Sequence, residues 1–210
     1  VGTAVAPPSK SIAHRLLIAC ALASGKSEVK GISDSEDMLA TLDCIKALGV
    51  DAQKDGDVVR IRANAKAKNC ECESGVFNDA KSVNNKAIFD CRESGSTLRF
   101  FIPVASVFCD ECEFLGSKRL LERGVEVYEK TLGENGVSVQ SQKDEIVVSG
   151  RLKSGTYTLD GNVSSQYVSG LMFALPLLDG DSKIIVREPV ESRAYIDLTT
   201  DVLKKVGIEI

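Results

Sequence analysis

Lys10 and Arg15, within Pro7-Pro8-Ser9-Lys10-Ser11-Ile12-Ala13-His14-Arg15, place two cations on or beside the first turn of a helix. The prolines stop an incoming strand, because each lacks an N–H and fixes φ. Ser9 or Ser11 can cap the helix that follows. Helix starts carry positive partial charge, so cations there cost stability unless an anion completes the arrangement. The chemistry of such a start is the capture of a phosphate or carboxylate. A capped helix with two solvated cations is the plain alternative.

Two more helix starts have the same character. Glu93-Ser94-Gly95-Ser96-Thr97-Leu98-Arg99 offers small residues and free N–H groups. Gly95 lets a ligand approach the backbone and Arg99 adds charge. The alternative there is a glycine turn with Arg99 paired to Glu93. Ser164-Ser165-Gln166 supplies two hydroxyls and an amide suited to phosphate oxygens, or simply a serine cap. Arg119 and Arg123 open another helix, and Ser192 with Tyr195 opens the last one. Solvated charges and caps are common at such places.

Other chemistries lack their residues. No Gly-x-x-x-x-Gly-Lys-Ser/Thr loop, His-Glu-x-x-His or Gly-x-Ser-x-Gly occurs, and imidazole chemistry is limited to His14. Cys109 and Cys112 have half of a zinc spacing, but Cys70 and Cys72 lack the two-residue gap and His14 is distant, so no metal is expected. Seven cysteines, an odd set, point to free thiols in a reducing compartment. A net charge of -4 disfavours general binding to nucleic acid or membrane surfaces. No apolar run approaches a membrane helix, and no signal peptide is visible, although the chain opens at Val1. With 43% hydrophobic and 27% charged residues, the 210-residue chain reads as soluble and globular.

The elements that position these starts repeat. A strand at 1–6, an apolar helix at 11–23, a strand at 28–32, an amphipathic helix at 35–48 and strands at 50–53 and 57–61 around Lys54-Asp55-Gly56 form one round. Strand 87–90, helix 97–107, strand 112–115, helix 120–134 and strands 137–141 and 145–149 form the next. Strand 156–159, helix 165–178, strand 183–187 and helix 194–206 form a third, whose hairpin is cut short at Ile210. The unit is β-α-β-α-β-β, spanning about 1–62, 87–150 and 155–210, with a polar surface insertion at 63–86. The first helix of each unit is apolar nearly all round and should be buried; the second carries a charged face. Packing around a pseudo-threefold axis would make the three buried helix starts converge on one anion site.

Four motifs in order carry a family resemblance: Pro8-Ser9-Lys10-Ser11 with His14-Arg15, Glu93 through Arg99, Ser164-Ser165-Gln166, and Ser192-Arg193-Ala194-Tyr195-Ile196-Asp197. Together they resemble the 5-enolpyruvylshikimate-3-phosphate (EPSP) synthase family, the 3-phosphoshikimate 1-carboxyvinyltransferases, over essentially the whole chain. The resemblance implies an α/β (α+β) fold: an inverse α/β barrel-like domain of three pseudo-threefold units, the third truncated. It implies one of two similar domains, the one that holds shikimate 3-phosphate, cut from a longer chain and inactive alone. The family moves the enolpyruvyl group of phosphoenolpyruvate to the 5-hydroxyl of shikimate 3-phosphate, by addition and elimination through a tetrahedral intermediate that releases phosphate. No organic cofactor takes part. A cytoplasmic place in chorismate and aromatic amino-acid biosynthesis follows.

By the same resemblance, Lys10 contacts both anionic substrates, and Ser11 and Arg15 hold the carboxylate side of shikimate. Ser164, Ser165 and Ser192 take its 3-phosphate, Gln166 lies between the substrates, and Tyr195 lies against the shikimate. Gly95 and Arg123 line the phosphoenolpyruvate pocket, where glyphosate competes. The proton-transferring residues and further arginines belong to the second domain, so no catalytic residue is expected in this chain. Glu93, Phe100 and Ala194 depart from residues common in the family, where Asn, Pro and Pro stand. Two alternatives remain: the sibling UDP-N-acetylglucosamine enolpyruvyl transferase, and a non-catalytic anion-binding module.

Overall fold

The computed structural model describes residues 8–63 and 87–210. The expected strand at 1–6, Pro7, residues 64–86 of the expected insertion, and Cys70 and Cys72 lie outside the described residues. Ala63, placed by sequence in the insertion, closes a strand instead.

The chain alternates helices and strands: α1 (Lys10–Leu22), β1 (Gly25–Lys30), α2 (Glu36–Ala47), β2 (Asp51–Asp55), β3 (Val58–Ala63), β4 (Ala87–Asp90), α3 (Gly95–Phe108), β5 (Glu111–Leu115), α4 (Lys118–Leu121), α5 (Glu126–Gly133), β6 (Ser138–Ser141), β7 (Ile146–Ser149), β8 (Thr156–Asp160), α6 (Ser165–Ala174), β9 (Lys183–Arg187) and α7 (Arg193–Lys205). A short 3-10 turn, Leu175–Leu177, continues α6.

Three sheets form. The first runs β1-β3-β2, all antiparallel, and the second runs β4-β5-β7-β6. In the second, β4 lies parallel to β5, while β5-β7-β6 repeats the antiparallel order of the first sheet. The third pairs β8 parallel to β9, as β4 pairs with β5. Parallel neighbours need a crossover connection, which α3 and α6 supply.

Sequence pattern explains which helices are inside. Leu17, Ile18 and Ala19 of α1, Leu98, Phe101 and Ile102 of α3, and Leu171, Phe173 and Ala174 of α6 are buried. Helices apolar on every side can sit only inside. In α7, by contrast, Val202 and Leu203 are buried while Lys204 and Lys205 face solvent. Phe100 of α3 meets Phe173 of α6 edge-to-face at 5.5 Å, part of the contact between the two most apolar helices.

Two expectations need correction. The amphipathic helix placed at 120–134 is two helices, because Gly124 takes a left-handed φ of 66° and the chain turns there. The first hairpin turns at Gly56-Asp57 rather than at Lys54-Asp55-Gly56: Asp55 still pairs with Val58, and Gly56 has φ 58°.

Candidate functional site

The start of α1 is capped by Ser9, whose Oγ accepts from Ile12 N at 3.4 Å, so Ser11 is left for other uses. Ser11 is half-buried, and its carbonyl accepts from Arg15 Nη1 at 2.9 Å. Lys10 is exposed, with Nζ 2.8 Å from Asp37 Oδ2 at the start of α2.

Arg15 is not solvated. It is 2% exposed, one turn inside α1, over the face of Phe100 at 5.1 Å. Its Nε donates to Thr199 Oγ1 at 2.8 Å, and Nη2 donates to Ser169 Oγ at 3.1 Å and reaches the Tyr195 carbonyl at 3.4 Å. The exposed Tyr195 ring lies 5.7 Å from the same guanidinium. Burial holds the Arg15 pKa down at about 10 against the opposing pull of Tyr195. It stays cationic at neutral pH, held by neutral oxygens.

The start of α3 is built around a missing hydrogen bond. Pro103 lies inside the helix and has no N–H for Arg99 O, four residues earlier. That carbonyl instead accepts from the buried Tyr128 hydroxyl at 2.7 Å. Gly170 of α6 packs against the same carbonyl: a Cβ there would stand 2.5 Å from Arg99 O. The backbone of Arg99 is thus clamped by α5 and α6.

The Arg99 side chain is 5% exposed and lies 5.1 Å over Tyr167. Its Nη1 donates to Gly95 O at 3.3 Å and to Gln166 Oε1 at 3.2 Å, and its Nε has no partner among the described residues. The exposed Glu93 forms no ion pair with it. Gln166 in turn donates through Nε2 to Ser96 Oγ at 2.8 Å, joining the α3 and α6 starts. A Cβ on Gly95 would stand 2.8 Å from Arg99 Nη1 and 3.2 Å from Arg123 Nη1. Two guanidinium groups therefore converge on the first residue of α3. Among the described residues, Arg15, Arg99 and Arg123 form no ion pair.

At α6, Ser164 is the exposed cap and its Oγ accepts from Gln166 N at 3.4 Å, while Ser165 is buried. Ser192 stands at the cap position of α7 without a side-chain cap bond, so its hydroxyl is uncommitted to the helix. The structure thus brings Arg15 to Tyr195, and Gly95 to Arg123 and, through Arg99, to Gln166. Among the described residues no hydrogen bond joins Lys10 to Gln166, or Ser192 to Ser164 or Ser165. The departures sit as follows: Phe100 floors Arg15, Ala194 is exposed on α7, and Glu93 faces solvent.

Arg99, Ser96 and Asp37 are not among the site residues that the sequence resemblance implies. Arg99 could have been found from its place four residues after Gly95, one helical turn on the same face. Nothing local signals the approach of Asp37 to Lys10 or of Ser96 to Gln166, since both are long-range contacts. Cys109 and Cys112 are buried, and burial raises the Cys112 thiol pKa. Among the described residues no three His, Cys, Asp or Glu side chains gather so as to hold a metal ion, and no helix is long and apolar enough to cross a membrane.

Comparison with known proteins converges on one family. The family model for EPSP synthase (3-phosphoshikimate 1-carboxyvinyltransferase) matches residues 1–210. The 3-phosphoshikimate 1-carboxyvinyltransferase of Clostridium beijerinckii is 41% identical over 207 residues, covering 97% of this chain and 46% of that protein. That of Clostridioides difficile is 36% identical over 207 residues with the same coverage, 97% and 46%. The structure of EPSP synthase from Acinetobacter baumannii superposes with a TM-score of 0.69 at 22% identity, over 91% of this chain and 41% of that one, a likeness of fold. The chain spans about half the length of the curated relatives it matches. A family model covering every residue, with relatives of this identity, leaves one conclusion: the chain belongs to the EPSP synthase (3-phosphoshikimate 1-carboxyvinyltransferase) family.

Proposed function

We propose that this chain is the shikimate-3-phosphate-binding half of an enolpyruvyl transferase. The full enzyme would transfer the carboxyvinyl group of phosphoenolpyruvate to the 5-hydroxyl of shikimate 3-phosphate and release inorganic phosphate. The single observation that carries this reading is the buried Arg15 guanidinium at the start of α1, cationic yet held only by neutral oxygens. A buried charge without a counter-charge is costly unless a ligand anion completes it.

In this reading Arg15 and Ser11 face the carboxylate side of shikimate, and Tyr195 lies against the ring. Ser164, Ser165 and Ser192 supply hydroxyls for the 3-phosphate at the N-termini of α6 and α7, where helix polarity favours an anion. Lys10 reaches both substrates, and Gln166 stands between them, its amide oriented by Arg99 and Ser96. Gly95 and Arg123 line the phosphoenolpyruvate side.

The shared strand orders support a domain of three units, about 1–62, 87–150 and 155–210, around a pseudo-threefold axis, in the manner of an inverse α/β barrel. A second domain of the same polypeptide would supply the proton-transferring groups, closing over both substrates. The reaction belongs in the cytoplasm.

Titration calorimetry of the chain with shikimate 3-phosphate is expected to give weak, saturable binding and no turnover with phosphoenolpyruvate. Absence of heat at millimolar ligand, or sustained turnover by the chain alone, overturns the proposal. Binding of UDP-N-acetylglucosamine in place of shikimate 3-phosphate would transfer the chain to the sibling enzyme.

A further inference from the structure

One buried polar chain is unused by the functions above. His14 on α1, Thr41 on α2, and Thr97 and Ser94 at the start of α3 are all buried. His14 Nδ1 lies 2.7 Å from Thr41 Oγ1, and Thr41 Oγ1 lies 2.8 Å from Thr97 Oγ1. Thr97 Oγ1 then donates to Ser94 Oγ at 2.7 Å, and that oxygen also accepts the Thr97 N–H at 3.2 Å as the cap of α3. Ser94 directly precedes Gly95, where Arg99 and Arg123 converge.

Counting protons fixes the direction of the chain. The Thr97 proton is committed to Ser94, so the Thr41–Thr97 contact uses the Thr41 proton, shared with Asp37 O at 3.1 Å. Thr41 has none left for the imidazole, so His14 must donate from Nδ1. The groups facing His14 come from three elements: Asp37 and Thr41 on α2, Lys10 and Arg15 on its own helix, and the edge of Phe100 on α3.

We propose that His14, donating from Nδ1, and Thr41 are positioning residues that set the start of α3 and hence the phosphoenolpyruvate side of the site; this rests on the assignment of Gly95 and Arg123 made above. The geometry is specific. Helix α2 holds α1 twice, through Asp37 to Lys10 and Thr41 to His14, and holds α3 once, through Thr41 to Thr97. Removing the Thr41 hydroxyl releases only the α3 arm completely, since Asp37 still holds Lys10. Buried hydroxyl networks of this kind fix one arrangement of packed elements, because every alternative leaves a polar group unpaired.

The test is made in the full-length polypeptide, with Thr41→Val, Thr41→Ser, His14→Leu and His14→Asn. Thr41→Val is expected to raise KM for phosphoenolpyruvate about tenfold and to leave KM for shikimate 3-phosphate within about twofold, the scale of one buried hydrogen bond. Thr41→Ser, which keeps the hydroxyl, and His14→Asn, which keeps a donor, should restore most of the loss that Thr41→Val and His14→Leu cause. Equal rises in both KM values, or no rise for phosphoenolpyruvate, overturn the inference. If the wild-type polypeptide shows no turnover, the functional reading itself fails. Positioning is then decided in this chain by amide exchange: faster exchange at Thr97 but not at Ile12 in Thr41→Val upholds it, and unchanged exchange at both overturns it.

Discussion

Arg15 Nε donates to Thr199 Oγ1 at 2.8 Å, and Ser169 Oγ lies 2.8 Å from that same threonine oxygen. One guanidinium from α1 therefore closes a ring with one hydroxyl from α6 and one from α7. The hydroxyls do not depend on it, because Thr199 also donates to Tyr195 O at 2.8 Å.

Arg15→Met should accordingly separate stability from function. Methionine fills the volume over Phe100, removes a buried charge with no acidic partner, and leaves Thr199 and Ser169 satisfied by each other. Stability is expected to stay within about 1 kcal/mol of the parent or to rise, as when buried charges give way to apolar groups. Under the proposed function, affinity for shikimate 3-phosphate should fall at least about tenfold, the scale of one charge-assisted hydrogen bond. Denaturant unfolding and calorimetry measured on the same sample check both halves.

His14 makes stability depend on pH. Burial lowers its pKa to about 4 from 6.5, with Asp37 opposing and Arg15 and Lys10 assisting. The folded state keeps the ring neutral while the unfolded chain protonates it, so unfolding takes up a proton between these values. Stability is full above pH 6.5 and falls as the pH drops toward 4, by on the order of 3 kcal/mol. Urea midpoints measured across that window should decline in the parent and flatten in His14→Asn. A parent curve as flat as that of the variant would refute the assignment.

Gly95→Ala is expected to damage the site more than the fold. The added Cβ would meet the ends of Arg99 and Arg123, at 2.8 and 3.2 Å, rather than backbone. Both side chains can swing away, so stability should change by less than about 1 kcal/mol, as at well-tolerated sites. The convergence of the two cations is what disappears. Under the proposed function, KM for phosphoenolpyruvate in the full polypeptide should rise at least about tenfold, the equivalent of one charge-assisted hydrogen bond. Kinetics alongside thermal melts separate these effects.

Gly170→Ala makes the opposite case. Its Cβ would stand 2.2 Å from the Tyr128 hydroxyl, 2.5 Å from Arg99 O and 3.0 Å from Pro103 Cγ. A backbone carbonyl and a proline ring cannot move aside, so a loss of about 2 kcal/mol or more is expected from overpacking. Gly133, the last residue of α5, has nothing within 4 Å of its Cβ position. Gly133→Ala should be neutral or stabilising by up to about 1 kcal/mol through helix propensity. A chemical denaturation series on the pair provides the comparison.

Much of this was legible from sequence where one local force dominates. The uniformly apolar stretches around Leu17, Phe101 and Phe173 could only be buried helices, and β4 and β9 fall on their expected residues. What escaped depended on partners far along the chain. The plain alternative for Arg99, a pairing with the near carboxylate Glu93, fails because Arg99 bonds to Gln166, 67 residues away. The break at Gly124 was hidden because apolar spacing continues from Leu120 to Leu132 across it, and only a backbone angle reveals the turn. Phe100, read only as a departure from the family pattern, is the surface on which Arg15 rests.

The Lys10–Asp37 ion pair has a bearing on recognition at the first helix start. An anion that engages Lys10 meets an ammonium already occupied, and must share it with the aspartate or displace it. Entry there is an exchange of partners, and departure of the ligand is assisted by a carboxylate waiting to return. Under the proposed function, the lysine would thereby be poised for release as well as capture, and Asp37, which need touch no substrate, would set the balance.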